Sequence, residues 1–146
     1  MRKSDFLDEV RLQVGLAYDY AQDKNDFLFK VFKAIHKCVD KYCFITILAP
    51  DVHGECKTIY TFGKIEATKR QFGFGFVSLC NQQVSFLLAE NEEQRILAPI
   101  FSSNRRLEYI ISISTKNKSY RFTRQDIDFV NELIRFIEAK SENFIK

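Results

Sequence analysis

Polar and apolar positions change their rhythm several times along this chain. From Ser4 to Ala21, the residues Leu7, Val10, Val14, Ala17 and Ala21 recur at alternating steps of three and four, the spacing of one helical face. Ser4 stands where a helix cap belongs, and Asp5, Asp8 and Glu9 put negative charge in the opening turns, where the helix dipole favours it. Phe6, Leu16, Tyr18 and Tyr20 fall outside this seam, so the helix is apolar on more than one side. A polar break at residues 22–26 leads to a second helix over Phe27 to Lys41, with Leu28, Val31, Ile35, Cys38 and Val39 on one face and His36 and Lys37 on the wet side.

The period then shortens to that of strands. Tyr42 to Ala49 is a near-continuous β run, Pro50 to Gly54 is a turn, and Cys56 to Phe62 returns with the alternation of an outer strand. Residues 63–71 are polar and charged, reading as a short helix or a mobile connection. In the segment Gln71 to Cys80, Gly73 and Gly75 flank one aromatic residue and mark a bend or lid ahead of a short helix; the Lys and Ser/Thr of a phosphate loop are missing. Val84 to Leu88 reads as a short strand and Ala89 to Glu93 as an acidic turn. Ile96 to Phe101 and Leu107 to Thr115 form a hairpin around the polar tip Ser102 to Arg106. With Ile110, Ile111 and Ile113, its second strand is too apolar for a sheet with one wet face, which predicts a central strand covered on both sides. Thr123 and Asp126 then open a last helix carrying Ile127, Val130, Ile134 and Ile137 on one row and Phe129, Leu133 and Phe136 on another.

Length and composition narrow what such a fold can do. The 146 residues predict a single domain, 1–146, in which residues 1–24 form an N-terminal helix suited to dimerisation. The net charge of +3 is spread from end to end, without the basic stripe that nucleic acid requires. No apolar run is long enough to span a membrane, and the acids that follow Arg2 and Lys3 do not suit a signal peptide, so the expected location is cytoplasmic. Cys38, Cys43, Cys56 and Cys80 match no zinc, haem or redox spacing; they read as reduced, buried thiols, or, for Cys43 and Cys56, as a pair facing each other on adjacent strands. Neither His36 nor His53 has a sequence-local acidic partner in a recognisable motif, and no nucleophile, base and orienter set stands out, so an enzyme is not expected, nor is a bound metal.

The order of elements resembles a GAF domain over nearly the whole chain. The residues that carry the resemblance are GFGFVSLCNQQVSFLLAE at 73–90, ILAPIFSSNRRLEYIISIS at 96–114 and FTRQDIDFVNELIRFI at 122–137. The Ala98-Pro99 step, a polar tip, a second apolar strand and a Phe-Thr-x-x-Asp entry to the last helix follow the family's progression. The resemblance implies an α+β fold, a twisted antiparallel sheet of five or six strands, with the N- and C-terminal helices on one face and pocket loops with a short helix on the other. It also implies a small-molecule pocket and signalling through helical dimers.

Asn117, Lys118, Phe122 and Asp126 look like part of the motif of cyclic-nucleotide-binding members, but Ile127 stands where that motif ends in Glu, and these residues read as structural. The enzyme branch, free methionine sulfoxide reductase, gathers several cysteines around its pocket. Here Cys38 falls on a helix and Cys43 and Cys56 on the first hairpin, which does not match. His36 and His53 both fall away from the expected pocket, which disfavours the bilin and haem that other members bind, and the identity of any cofactor stays open.

The expected function is a sensory or regulatory module for an unidentified small molecule, acting as a homodimer or through an effector protein. Candidate ligand contacts are Thr46, Phe74, Phe76, Ser78, Cys80, Ser85, Ser112 and Ser114. Candidate dimer contacts are Leu7, Val10, Val14, Ala17, Val130, Ile134 and Ile137. In the alternative, Phe72, Phe74 and Phe76 fill the pocket themselves and the domain serves protein interaction or dimerisation alone.

Overall fold

A computed structural model of the chain describes residues 3–38, 44–50, 56–63, 85–88, 94–115 and 121–144. Its elements, in chain order, are α1 (Lys3–Asp19), α2 (Lys24–Cys38), β1 (Phe44–Pro50), β2 (Cys56–Gly63), β3 (Ser85–Leu88), β4 (Gln94–Phe101), β5 (Leu107–Thr115) and α3 (Arg124–Ser141), closed by a 3-10 turn at Glu142–Phe144. The strands form one antiparallel sheet in the order β2-β1-β5-β4-β3. β5 is central, as its run of isoleucines predicts. The expectation of five or six antiparallel strands is met with five among the described residues.

The helices cover one face. Side chains alternate across a strand, and the set comprising Ile45, Ile47, Ile96, Ala98, Ile100, Ile111 and Ile113 belongs to a single core with Leu7, Val10 and Val14 of α1, Phe27, Val31, Phe32 and Ile35 of α2, and Val130, Leu133, Ile134 and Ile137 of α3. Each fully buried Ile or Leu contributes about 1.5–3 kcal/mol. The aromatic rings have a place of their own: Tyr18 meets Phe27, Phe136 and Phe144 edge to face, with centroids 5.4, 6.0 and 5.8 Å apart. Phe136, on the second apolar row of α3, therefore faces α1, and Arg11 lies 5.6 Å over the ring of Phe129 on the same row.

Several boundaries differ from the sequence expectation, each for a local reason. α1 begins at Lys3, so Ser4 lies inside its first turn. α2 starts at Lys24 because Asp23 caps it: its carboxylate accepts the Asp26 N–H at 2.8 Å, and the Asp26 carboxylate accepts the Gln22 N–H at 2.9 Å. That Gln22 bond and, first, the bond from the Lys30 ammonium hold the Asp26 carboxyl below its usual value. His36 is half-buried, its ring 6.3 Å from that of Phe62, where a fully wet position was expected. Pro50 ends β1 opposite Cys56 and does not begin the turn; Gly63 ends β2 with a φ of 101° that a side chain would resist. β4 begins at Gln94, two residues before the expected Ile96.

Polar ties also hold helices to sheet. Lys24 at the start of α2 pairs with Glu108 of β5. Phe101 N–H of β4 donates to Glu138 of α3 at 2.8 Å, and Phe122 N–H, just ahead of α3, donates to Gln94 at 2.8 Å. At the entry of α3, the fully buried Asp126 accepts the Thr123 N–H at 2.8 Å, the acid-to-cap relation that the sequence predicts. Asp126→Ala is expected to lower unfolding free energy by about 1–3 kcal/mol in urea titrations, because the capping box at the entry of α3 is lost. Arg124→Ala, which breaks an exposed pair with Asp128, should change it by less than about 0.5 kcal/mol.

Candidate functional site

The side of the sheet turned away from the helices carries a different chemistry. By strand alternation β1 offers Thr46 and Leu48 there, β5 offers Ile110, Ser112 and Ser114, and β4 offers Arg95, Leu97 and Pro99. Strand register sets Thr46, Ser112 and Leu97 abreast, Leu48, Ile110 and Pro99 abreast, and Ser114 opposite Arg95. The result is a surface in two halves. Leu48, Leu97 and Ile110 form an apolar cluster separate from the main core. Thr46, Ser112, Ser114 and Arg95 form a polar half beside it, and all four are buried.

Within the polar half, Arg95 Nε donates to Ser114 Oγ at 3.3 Å. Ser112 is 0% exposed, and its Oγ alone among the described buried side-chain polar atoms has no hydrogen-bond partner. A buried hydroxyl left unmatched costs about 1–3 kcal/mol. That cost is the physical mark of this site. A hydroxyl can donate and accept at once, so Ser112 can hold either kind of polar group on a small molecule whose apolar part rests against Leu48, Leu97 and Ile110.

The structure brings together three of the sequence-derived candidates on this face, Thr46, Ser112 and Ser114, and register places Ser85 of β3 opposite Leu97, at the end of the Thr46 row. Phe74, Phe76, Ser78 and Cys80, with the lid and short helix expected around them, lie outside the described residues. So do Cys43, His53, Phe72, Asn117 and Lys118. Leu7, Val10, Val14, Ala17, Val130, Ile134 and Ile137, read from sequence as dimer contacts, are all buried in the core of the single chain, where they meet the sheet and one another. Among the described residues, the large apolar side chains left exposed here are Leu12 and Leu16 of α1 and Tyr20 just past its end. Among the described residues no group of three or more His, Cys, Asp or Glu could hold a metal ion, and no helix is long and apolar enough to cross a membrane.

Arg95 is the site residue that sequence reading passed over. It follows Glu92 and Glu93, so it reads as the end of a charged turn. The usable signal is the two-residue period of Gln94, Ile96, Ala98 and Ile100, which extends the strand backward and puts Arg95 on the side of Leu97.

No model of a protein family matches the sequence, and none of the curated proteins matches it. Solved structures do. The free methionine-R-sulfoxide reductase of Neisseria meningitidis, in complex with its substrate, superposes with a TM-score of 0.80 at 15% identity, over 97% of this chain and 92% of that one. A putative GAF sensor protein from Burkholderia vietnamiensis superposes at 0.78 with 13% identity, over 98% and 94%. The GAF domain of a phosphoenolpyruvate-protein phosphotransferase from Coxiella burnetii superposes at 0.75 with 16% identity, over 97% and 96%. The chain has a GAF-like fold.

Removing the Ser112 hydroxyl separates folding from site chemistry. Ser112→Ala is expected to unfold at equal or higher urea concentration than the parent, with a gain of up to about 2 kcal/mol, because the unmatched hydroxyl disappears and almost no volume is lost.

Proposed function

We propose that this chain is a non-enzymatic sensory or regulatory module that binds a small molecule on the sheet face bearing Thr46, Ser112, Ser114 and Arg95. The observation that carries the reading is the Ser112 hydroxyl, fully buried and without a partner, at the boundary between an apolar and a polar half of one face. A fold does not retain such a group for its own stability, whereas a bound ligand supplies the missing hydrogen bond. The GAF-like fold supports the reading, since one of the similar structures is a putative sensor protein.

A second reading, reduction of free methionine-R-sulfoxide, is favoured by the likeness to the Neisseria meningitidis enzyme. Two thiols would give up two electrons and two protons to the sulfoxide, leaving a disulfide, methionine and water. Incubating the protein with free methionine sulfoxide and dithiothreitol, and measuring methionine, decides between the two; under the leading reading none forms beyond the rate without protein.

In this proposal the signal passes on through a homodimer, whose contact we place on the exposed side of α1 at Leu12 and Leu16, continued by Tyr20 just past its end, rather than on the buried seam. Gly15 lies between them with nothing within 4 Å of where a Cβ would stand, which allows close approach of another helix. Sedimentation velocity is expected to show a dimer for the parent and a folded monomer for the variant Leu12→Glu, Leu16→Glu. A parent that is already monomeric rules this contact out.

Ligand binding is tested by thermal unfolding across a panel of nucleotides, amino acids and heterocyclic metabolites. At a concentration about 100 times its dissociation constant, the right compound should add about 2.7 kcal/mol of stability. Ser112→Ala should weaken that compound by about tenfold, the worth of one hydrogen bond. If no compound shifts the parent, or if Ser112→Ala leaves the shift intact, the ligand site is not here.

A further inference from the structure

An open cavity, of about 490 Å³, lies where the tip of the β4–β5 hairpin meets the end of α3. It shares no residue with the Ser112 face. Two guanidinium groups line it from different elements, Arg105 from the hairpin tip and Arg135 from the helix, together with Ser102 and Ser103. Neither arginine has an ion-pair partner among the described residues. Of the two carboxylates at the cavity, Glu138 is committed to the Phe101 N–H, and Glu142 stands on the closing 3-10 turn.

The backbone at the tip is the unusual part. Ser102 O accepts the Arg105 N–H at 2.9 Å and Ser102 N–H donates to Arg106 O at 2.8 Å, which closes a three-residue loop. The third loop position of such a hairpin adopts the left-handed conformation and is ordinarily glycine. Here it is Arg105, with a φ of 62°, and it is the one non-glycine residue with positive φ among those described. Folding alone would favour glycine at that position. Retaining an arginine there, in the face of its backbone cost, points to work done by the side chain.

We propose that this cavity binds a phosphate monoester of a small molecule. Arg105 and Arg135 present planar forks of N–H donors, a geometry that matches phosphate oxygens and gives the strong, charge-assisted class of hydrogen bond. The Ser102 and Ser103 hydroxyls add neutral donors, and Glu142 is placed to accept from a hydroxyl or ammonium group on the rest of the ligand.

The test is calorimetric titration of the full chain at constant ionic strength with inorganic phosphate, with O-phosphoserine, and with chloride as the reference anion. Both phosphates are expected to bind where chloride does not; tighter binding of O-phosphoserine assigns the site to an ester, and equal binding assigns it to free phosphate. Arg135→Gln and Arg105→Gly should each weaken binding by about tenfold, while Arg106→Gln, on the same tip but not lining the cavity, should leave it unchanged. Arg105→Gly should also melt no lower than the parent, since glycine suits the backbone there, and this keeps loss of binding distinct from loss of fold. The proposal is overturned if phosphate behaves as chloride does, if both lining variants bind as the parent does, or if Arg106→Gln loses as much as they do.

Discussion

Burial of β5 on both of its faces is the constraint from which the rest of this structure follows. Ile111 and Ile113 point into the aromatic and aliphatic core beneath the helices, while Ile110, Ser112 and Ser114 are equally buried on the other side. The side-chain period of a strand is two, so the register of β5 against β1 and β4 admits no small adjustment. A slip of one residue in β5 would carry Ser112 and Ser114 into the core, away from Thr46 and Arg95, and turn Ile111 and Ile113 out. The apolar face thus holds the polar face in place, although none of its residues touches the site chemistry.

The helices close this arrangement from one side by joining distant parts of the chain. α1 and α3 meet through Arg11, which bonds Asp8 and Glu132 at 2.6 Å each and covers Phe129. The guanidinium holds its proton more firmly than usual, chiefly through its bond with Glu132. The pair is partly exposed and adds little to stability by itself. Its contribution is one of alignment, keeping the apolar rows of the two helices over the same strands.

Much of the architecture could be read from the residues because it depends on periodicity. The isoleucine run placed β5 at the centre, the switch from a helical to a strand rhythm located the sheet, and Thr123 with Asp126 marked the entry of α3. What could not be read depends on which of several apolar surfaces meets which. The heptad-like seam of α1 fits a partner helix in another chain and the sheet of its own chain equally well, and in the fold the sheet and the neighbouring helices take it. The polarity of the candidate face was legible in Thr46, Ser112 and Ser114, since hydroxyls interrupt otherwise apolar strands. Arg95 was not, because a charged residue after two glutamates looks like a turn until the pleat is traced backward through it.

The chain contains no tryptophan, and Tyr18 sits among the rings of Phe27, Phe136 and Phe144, with Asn143 donating to its hydroxyl at 2.7 Å. Residues near both ends of the described chain therefore share a single chromophore's surroundings. Because the chain has six tyrosines, the difference in near-ultraviolet circular dichroism between the parent and Tyr18→Phe acts as an optical gauge of whether the last turn remains seated on the first helix.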